Sequence, residues 1–224
     1  MTLIGVNTIN LVNMKKVVAV ICCFCLVASS AWAQDEEETQ KGFKKQNLFT
    51  GGSVTISFFN GQTVLGANPI FGYKLAKWVD AGIAFNFMYA SQRYYYQYDD
   101  KIKQTVYGPG IFTRLYPVSF LFAQAQLEHN FTSFKYYAAP GSTMYMSGKI
   151  NTSANSLLLG AGFAQGRVEG SNSFYYICVL FDVLKDINSP YVYVTTNPNN
   201  STQQHATATP IIRAGFNIAL FQKR

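Results

Sequence analysis

The sequence predicts an all-β protein, an eight-stranded antiparallel transmembrane β-barrel with short turns at one end and long loops at the other, and three observations carry that prediction. Eight runs from Leu48 onward alternate an oily residue with a small or polar one, the side-chain period of two expected of a strand between lipid and a lumen. The connections between these runs alternate between short and long, as they do in transmembrane barrels. Finally, 49% of the 224 residues are hydrophobic and only 13% charged, where a soluble domain carries about 25% charge. The chain after the N-terminal leader nevertheless offers no stretch of the roughly eighteen uninterrupted apolar residues that a spanning helix needs.

In chain order, Met14-Lys15-Lys16, the apolar run Val17 to Val27 and then Ala31-Trp32-Ala33 have the three parts of a secretory signal peptide. Cleavage is expected before Gln34. The basic part belongs directly before the apolar run, so the thirteen residues ahead of Met14 read as an upstream extension, and residues 1–33 leave together. Cys22, Cys23 and Cys25 go with them as oily filler. Cys178 is then the one remaining cysteine, which excludes an internal disulfide or a thiolate metal cluster. It shares parity with Tyr176, Leu180 and Asp182, and no cation lies beside it in sequence, so it reads as a small lumen-facing packing residue rather than a reactive thiol. Residues 34–47 are polar, opening with Asp35-Glu36-Glu37-Glu38 and ending with Lys44-Lys45. With no core face, they are expected to be a flexible periplasmic lead-in to a barrel domain at 48–224.

Each run has an oily and a small or polar parity. Val54, Ile56 and Phe58 oppose Ser53, Thr55 and Ser57. Leu65, Ala67, Phe71, Tyr73 and Leu75 oppose Gly66, Asn68 and Gly72. Val79 through Tyr89 on odd numbers oppose Asp80, Gly82, Ala84, Asn86 and Met88. Tyr107, Ile111 and Leu115 oppose Gly108, Gly110 and Arg114. Leu121, Ala123, Ala125, Leu127 and Phe131 oppose Gln124, Gln126, Glu128 and Asn130. Leu157, Leu159, Ala161 and Phe163 oppose Ser156, Gly160 and Gly162. Ile177, Val179, Phe181 and Val183 oppose Cys178 and Asp182. In the last run, Pro210 to Phe221, Ile212, Ala214, Phe216, Ile218 and Leu220 oppose Arg213, Gly215, Asn217 and Phe221. That run must pair with Leu48 to Phe59, because an open edge in hydrocarbon would leave backbone groups unsatisfied.

Tight turns are expected at Ala76-Lys77-Trp78, Pro117-Val118 and Gly166 to Ser171, and long loops at 91–104, 135–153 and 185–207. Asn60-Gly61 is a two-residue hairpin signal at the first outer connection. A lipocalin-like soluble barrel would reverse the faces, but a water-facing exterior should hold Lys, Glu and Arg. The weaker face here holds Gly, Ser, Thr, Asn, Gln and Ala, which suit a narrow eight-stranded interior. Trp78, Tyr73 and Tyr116 near the turns, with Tyr89, Tyr107 and Phe131 near the loops, are expected to form two aromatic girdles.

Two stretches, Gly66-Ala67-Asn68-Pro69-Ile70-Phe71-Gly72-Tyr73 leading to Val79-Asp80-Ala81-Gly82-Ile83, and Val106-Tyr107-Gly108-Pro109-Gly110-Ile111-Phe112-Thr113-Arg114-Leu115-Tyr116, resemble the small outer-membrane β-barrel proteins of Gram-negative bacteria, the OmpA-like and OmpW-like porin superfamily with its outer membrane protein beta-barrel domain. The resemblance covers roughly Leu48 to the C-terminus. It implies a barrel in the cell outer membrane, surrounded by its lipids and lipopolysaccharide and inserted by the outer-membrane assembly machinery, which reads an aromatic-ended final strand. Gln222-Lys223-Arg224 after Phe221 depart from that ending.

Four charges on lumen parity stand out as a candidate network, structural or gating: Arg114, Glu128, Asp182 and Arg213. Two acids and two bases balance, and pairing spares a narrow interior the cost of isolated charge; Arg213 is expected to meet Asp182. The two histidines, His129 at the outward rim and His205 in the last loop, have no serine at a spacing that would build a hydrolase. Gly160-Ala161-Gly162 precedes no readable helix and reads as packing room rather than a nucleotide loop. Tyr94, Tyr95, Tyr96 and Tyr98, with Tyr136, Tyr137 and Tyr145, serve as rim anchors or as an extracellular surface that stacks on a glycan or a partner protein.

The formal charge of +7 falls to about +5 once Lys15 and Lys16 leave with the signal. The excess is spread over loops and ends, with no basic cluster interleaved with aromatics that would mark nucleic-acid binding. The sequence therefore predicts a non-catalytic structural or surface-interaction protein that uses no cofactor or metal. Passive passage of small or hydrophobic compounds is the alternative, and a lipid-modifying enzyme the third reading.

Overall fold

A computed structural model describes residues 43–221 apart from 60–61, 97, 145, 169–172 and 198–199. The expected signal segment, residues 34–42 of the expected lead-in, the Asn60-Gly61 turn and Tyr145 lie outside the described residues. A 3-10 turn at Lys45–Asn47 leads into β1 (Leu48–Phe59), β2 (Gln62–Ala76), β3 (Val79–Arg93), β4 (Lys101–Val118), β5 (Leu121–Tyr137), β6 (Gly148–Gln165), β7 (Phe174–Asp182), β8 (Val192–Asn197), β9 (Asn200–Ala208) and β10 (Ile211–Ala219). Eight of these close into an antiparallel barrel in the order β1-β10-β7-β6-β5-β4-β3-β2, while β8 and β9 pair only with each other. The end of the lead-in is tied to β2: Asn47 Nδ2 donates to the Lys74 carbonyl at 2.9 Å and the Lys44 amide to the Tyr73 hydroxyl at 3.0 Å.

The barrel is polar inside and oily outside. Val54, Ile83, Ile111 and Ile212 are each about 60% exposed on the outer wall, while Arg114, Glu128 and Asp182 are at most 2% exposed within. Parity assigns each, since one face of every barrel strand must meet the lumen. The expected alternation therefore holds along all eight barrel strands where side chains are described.

Closure depends on space at the wall. Four inward rings sit directly opposite inward glycines on the next strand: Phe49 with Gly72, Phe112 with Gly82, Phe122 with Gly162 and Tyr176 with Gly215. A Cβ at any of the four glycines would run into the ring, so each glycine lets a large side chain lie flat against the wall. At Gly215 the Cβ would also meet the Gly52 carbonyl across the β1–β10 seam, as one at Gly82 would meet the Phe71 carbonyl. Gly160 and Gly162 are thus wall residues, as their sequence context suggests. Mid-strand prolines cost ladder bonds: pairing skips a step at Pro69 between β2 and β3 and at Pro109 between β4 and β5. Opposite Pro69, the Asn68 side chain supplies the missing donor, its Nδ2 reaching the Phe85 carbonyl at 3.1 Å.

Three expectations need correction. The outer loops are shorter than the sequence suggests, because β3 and β4 stay paired to Arg93↔Lys101 and β5 and β6 to Tyr136↔Gly148. Polar Tyr-, Thr- and Ser-rich segments pair across the ladder as the oily ones do and leave no oily parity to read. The last loop contains the β8–β9 hairpin for the same reason. Tyr116 is no girdle residue, being 3% exposed and on the parity of Arg114, whereas Tyr107 and Phe131 do stack on the outer wall with centroids 5.6 Å apart.

Refolded protein should show a heat-modifiable shift on gels, the unheated band running faster than the boiled one. Gly215→Val should overpack the seam against Tyr176 and Gly52, costing about 1–3 kcal/mol and depleting the fast band.

Candidate functional site

A connected set of side chains crosses the lumen. Inward positions of β5 recur every second residue, so Gln124, Gln126, Glu128 and Asn130 stack as a column on one wall. Gln124 Nε2 donates to Gln126 Oε1 at 2.8 Å, Gln126 Nε2 to Glu128 Oε1 at 2.7 Å, and Asn130 Nδ2 to Glu128 Oε2 at 3.0 Å. The column is fed from below by Arg114, whose Nε donates to Gln124 Oε1 at 2.8 Å. Hydrogen bonds thus run in one direction from a guanidinium through two amides to a carboxylate, and each bond polarises the next.

Arg114 lies in a cage of three rings, with Cζ 4.1 Å from the Tyr176 centroid and 5.2 Å from those of Phe112 and Phe122. These are three of the four rings that the wall glycines accommodate. A cation deep in a narrow lumen is held here by ring faces and neutral acceptors. Its Nη1 also reaches Asn217 Oδ1 on the diametrically opposite strand, β10, at 3.3 Å.

Arg213 pairs with Glu128, not Asp182. Its Nη2 lies 3.1 Å from Glu128 Oε1, and its Nη1 donates to Asn68 Oδ1 at 3.1 Å and Gln126 Oε1 at 3.2 Å. The expected partner fails on register: Arg213 stands opposite Cys178, four residues short of Asp182 along β7. Asp182 instead organises the loop that follows it. Its Oδ1 accepts from the Leu157 and Leu184 amides at 3.2 and 3.1 Å, and its Oδ2 from the Ser189 hydroxyl at 2.6 Å. That loop turns inward, and the Tyr191 hydroxyl donates to Glu128 Oε2 at 2.8 Å. Both Glu128 oxygens are therefore occupied, one by Arg213 and Gln126, the other by Tyr191 and Asn130.

Four participants, Asp80, Arg167, Tyr191 and Asn68, lie outside the charge network that the sequence singles out. Asp80, on lumen parity at the turn end, faces Arg167 at 3.7 Å, and the Arg167 guanidinium covers the Tyr116 ring at 3.7 Å. Asp80 could have been found by parity alone; Arg167 and Tyr191, in connections without periodicity, could not. The double duty of Asn68 shows only in three dimensions. Cys178 is buried as expected, with Arg213 across from it. A cavity of about 400 Å³ is lined by Arg213, Asn68, Thr55, Asn86 and Tyr191.

The outer tyrosines form a second candidate. Asp100 accepts from the Tyr95 and Tyr96 amides and from the Tyr136 hydroxyl, fixing the β3–β4 tip. Tyr94 stacks on Tyr98 at 5.2 Å, Tyr95 meets Tyr96 edge-on at 4.5 Å, and Tyr96 meets Tyr136 at 5.6 Å. Burial pushes the Tyr95 phenol above its ordinary value, and Tyr96 adds to the rise. Tyr98 remains 79% exposed. Tyr137, on the outward parity of β5, instead carries the Lys103 ammonium 5.1 Å above its ring.

His129 faces outward, its Nδ1 2.7 Å from Asn155 Oδ1 and its ring against Phe131; His205 is exposed on β9. Among the described residues no group of three or more His, Cys, Asp or Glu side chains is placed to hold a metal, and no helix is long and apolar enough to cross a membrane.

The fold and site define a closed antiparallel barrel with a polar, hydrogen-bonded interior. No family model and no curated protein matches the chain. Among solved structures it is similar to the N-terminal β-barrel domain of Pseudomonas aeruginosa OprF, with 12% identity, a TM-score of 0.38, and coverage of 77% of this chain and 95% of that one.

Arg213→Ala should lower the unfolding free energy in detergent by about 3–5 kcal/mol, since it strands a buried carboxylate. A double-mutant cycle should give Arg213 and Glu128 a coupling of about 1–3 kcal/mol, and Arg213 and Asp182 less than about 0.5 kcal/mol.

Proposed function

We propose that the protein is a Gram-negative outer-membrane β-barrel with a filled lumen, serving a structural or surface-interaction role without catalysis. The observation that carries the reading is the inversion of polarity: isoleucines, valines and phenylalanines cover the outer wall while arginines, acids and amides occupy the lumen. Such an exterior is costly in water and suited to hydrocarbon. The signal-peptide pattern at Met14 to Ala33 supports export, and Phe221 just beyond β10 supports recognition by the assembly machinery.

Cross-lumen bonds favour structure over conduction. Arg114 reaches β10, and Arg213 reaches β5 and β2, so a passing solute would have to break several buried hydrogen bonds together. The exposed tyrosines at the β3–β4 tip, held by Asp100, supply a rigid aromatic surface of the kind that stacks on sugars or binds proteins. The cavity lined by Arg213 favours the second reading, passive passage of small compounds, which requires Tyr191 and Arg213 to withdraw.

Protein refolded into a planar bilayer should insert and show no discrete conductance, and it should hydrolyse no phospholipid. A channel in the wild-type protein, or Arg213→Ala raising conductance at unchanged stability, would overturn the filled-lumen reading in favour of passage.

A further inference from the structure

Strand register assembles a basic surface that the sequence disperses. Lys103 on β4 stands opposite Lys135 on β5, and Lys135 opposite Lys149 on β6. All three share the outward parity of Tyr107, Phe131 and Leu157. At the ~4.8 Å spacing of neighbouring strands the row spans about 10 Å. One step further out, Arg93 on β3 stands opposite Lys101 on β4. No acid occupies the outward parity of β3 to β6 anywhere along their length. Like charges set abreast repel, so this wall keeps an unneutralised cationic row where a mixed surface would be more stable.

Depth gives the row its meaning. The Tyr107–Phe131 ring pair marks the outer girdle, and the pairs Thr105↔Ser133 and Ser133↔Asn151 form the next outward row. The lysines follow, four residues beyond the rings. That is about 13 Å along the strand, or ~10 Å of height at the ~40° tilt of membrane barrels. Lysine stems reach back along the wall from there into the headgroup layer. The Lys103 ammonium itself rests 5.1 Å above the ring of Tyr137, which stands opposite Lys101 one row further out. Three point charges on the lipid side, set above Thr105 and the exposed Asn151 amide, fit a sugar headgroup that bears more than one phosphate.

We propose that Lys103, Lys135 and Lys149, with Thr105 and Asn151 beneath them, form a binding site for the phosphorylated sugar headgroup of an outer-leaflet glycolipid. The proposal rests on the membrane reading above. A single phospholipid phosphate would neutralise one or two of these cations; a headgroup with two phosphates answers the whole row.

The test uses refolded protein in detergent micelles, with bound lipid counted by native mass spectrometry. The probes are bisphosphorylated lipid A, the same lipid with its phosphates removed, phosphatidylglycerol and phosphatidylcholine. Bisphosphorylated lipid A should bind at least tenfold more tightly than the other three, and the variant K103Q/K135Q/K149Q should lose that preference at least tenfold while keeping its heat-modifiable shift. K149Q alone, at an exposed position on β6, should weaken binding severalfold and serves if the triple variant fails to fold. Binding indifferent to the phosphates, equal binding of phosphatidylglycerol, or full binding by folded lysine variants would each overturn the site. Protein that shows no heat-modifiable shift and does not insert into vesicles would instead overturn the membrane reading.

Discussion

Everything in this structure depends on closing the backbone ladder between β1 and β10, where Phe49 pairs with Ala219 and Val54 with Ala214. On the membrane reading proposed above, the sheet tolerates no free edge, because each unpaired amide or carbonyl in hydrocarbon costs several kcal/mol. Closure with eight strands fixes a narrow interior. That interior in turn needs glycines opposite its rings, and the four ring–glycine pairs at Phe49, Phe112, Phe122 and Tyr176 are the local consequence. Three of those rings then cage Arg114. A requirement of backbone hydrogen bonding is thereby carried through side-chain volume to the placement of a charge.

Buried charge normally favours neither stability nor ease of folding unless every donor and acceptor finds a partner. Around Glu128 the lumen meets this condition with amides, while elsewhere in it Asn217 Nδ2, Ser53 Oγ and Thr132 Oγ1 are buried without a hydrogen-bond partner. Gln124 and Gln126 each accept from one neighbour and donate to the next, so the fields of two guanidinium groups converge on the single Glu128 carboxylate. Asn68 joins the network to the wall: one end of its amide serves the Phe85 carbonyl opposite Pro69, the other accepts from Arg213. The β7–β8 connection is held at both ends, since Asp182 ties its start and Thr209 donates through Oγ1 to the Tyr191 carbonyl at its finish. The loop is thus a fixed part of the interior.

Alternation made the barrel legible, because a side-chain period of two with one oily face survives any uncertainty about register. Ile212, Phe216 and Ile218 outward, with Arg213 and Asn217 inward, could be read directly. The site was legible only in its members. Arg114, Glu128 and Arg213 are found by parity, but their partners depend on tilt and stagger, which place Arg213 across the lumen from Glu128 and leave Asp182 well beyond it. Counting residues back from a loop fails because the loop emerges asymmetrically, with β7 ending at Asp182 and β10 starting at Ile211. Tyr191 and Arg167 carried no periodic signal. The lysine row was invisible for the same reason as the pairing: Lys103, Lys135 and Lys149 are far apart in sequence and become neighbours only through register.

The central claim, an oily wall in lipid around a filled polar lumen, is tested most directly along β3. Single cysteines at Ile83, Ala84, Phe85, Phe87 and Met88 in a Cys178→Ala background, spin-labelled after refolding into vesicles, report collision with oxygen and with a water-soluble nickel chelate. The account predicts high oxygen and low nickel accessibility at positions 83, 85 and 87, and low accessibility to both at 84 and 88. Nickel accessibility at the odd positions, or the absence of a two-residue alternation, would contradict it.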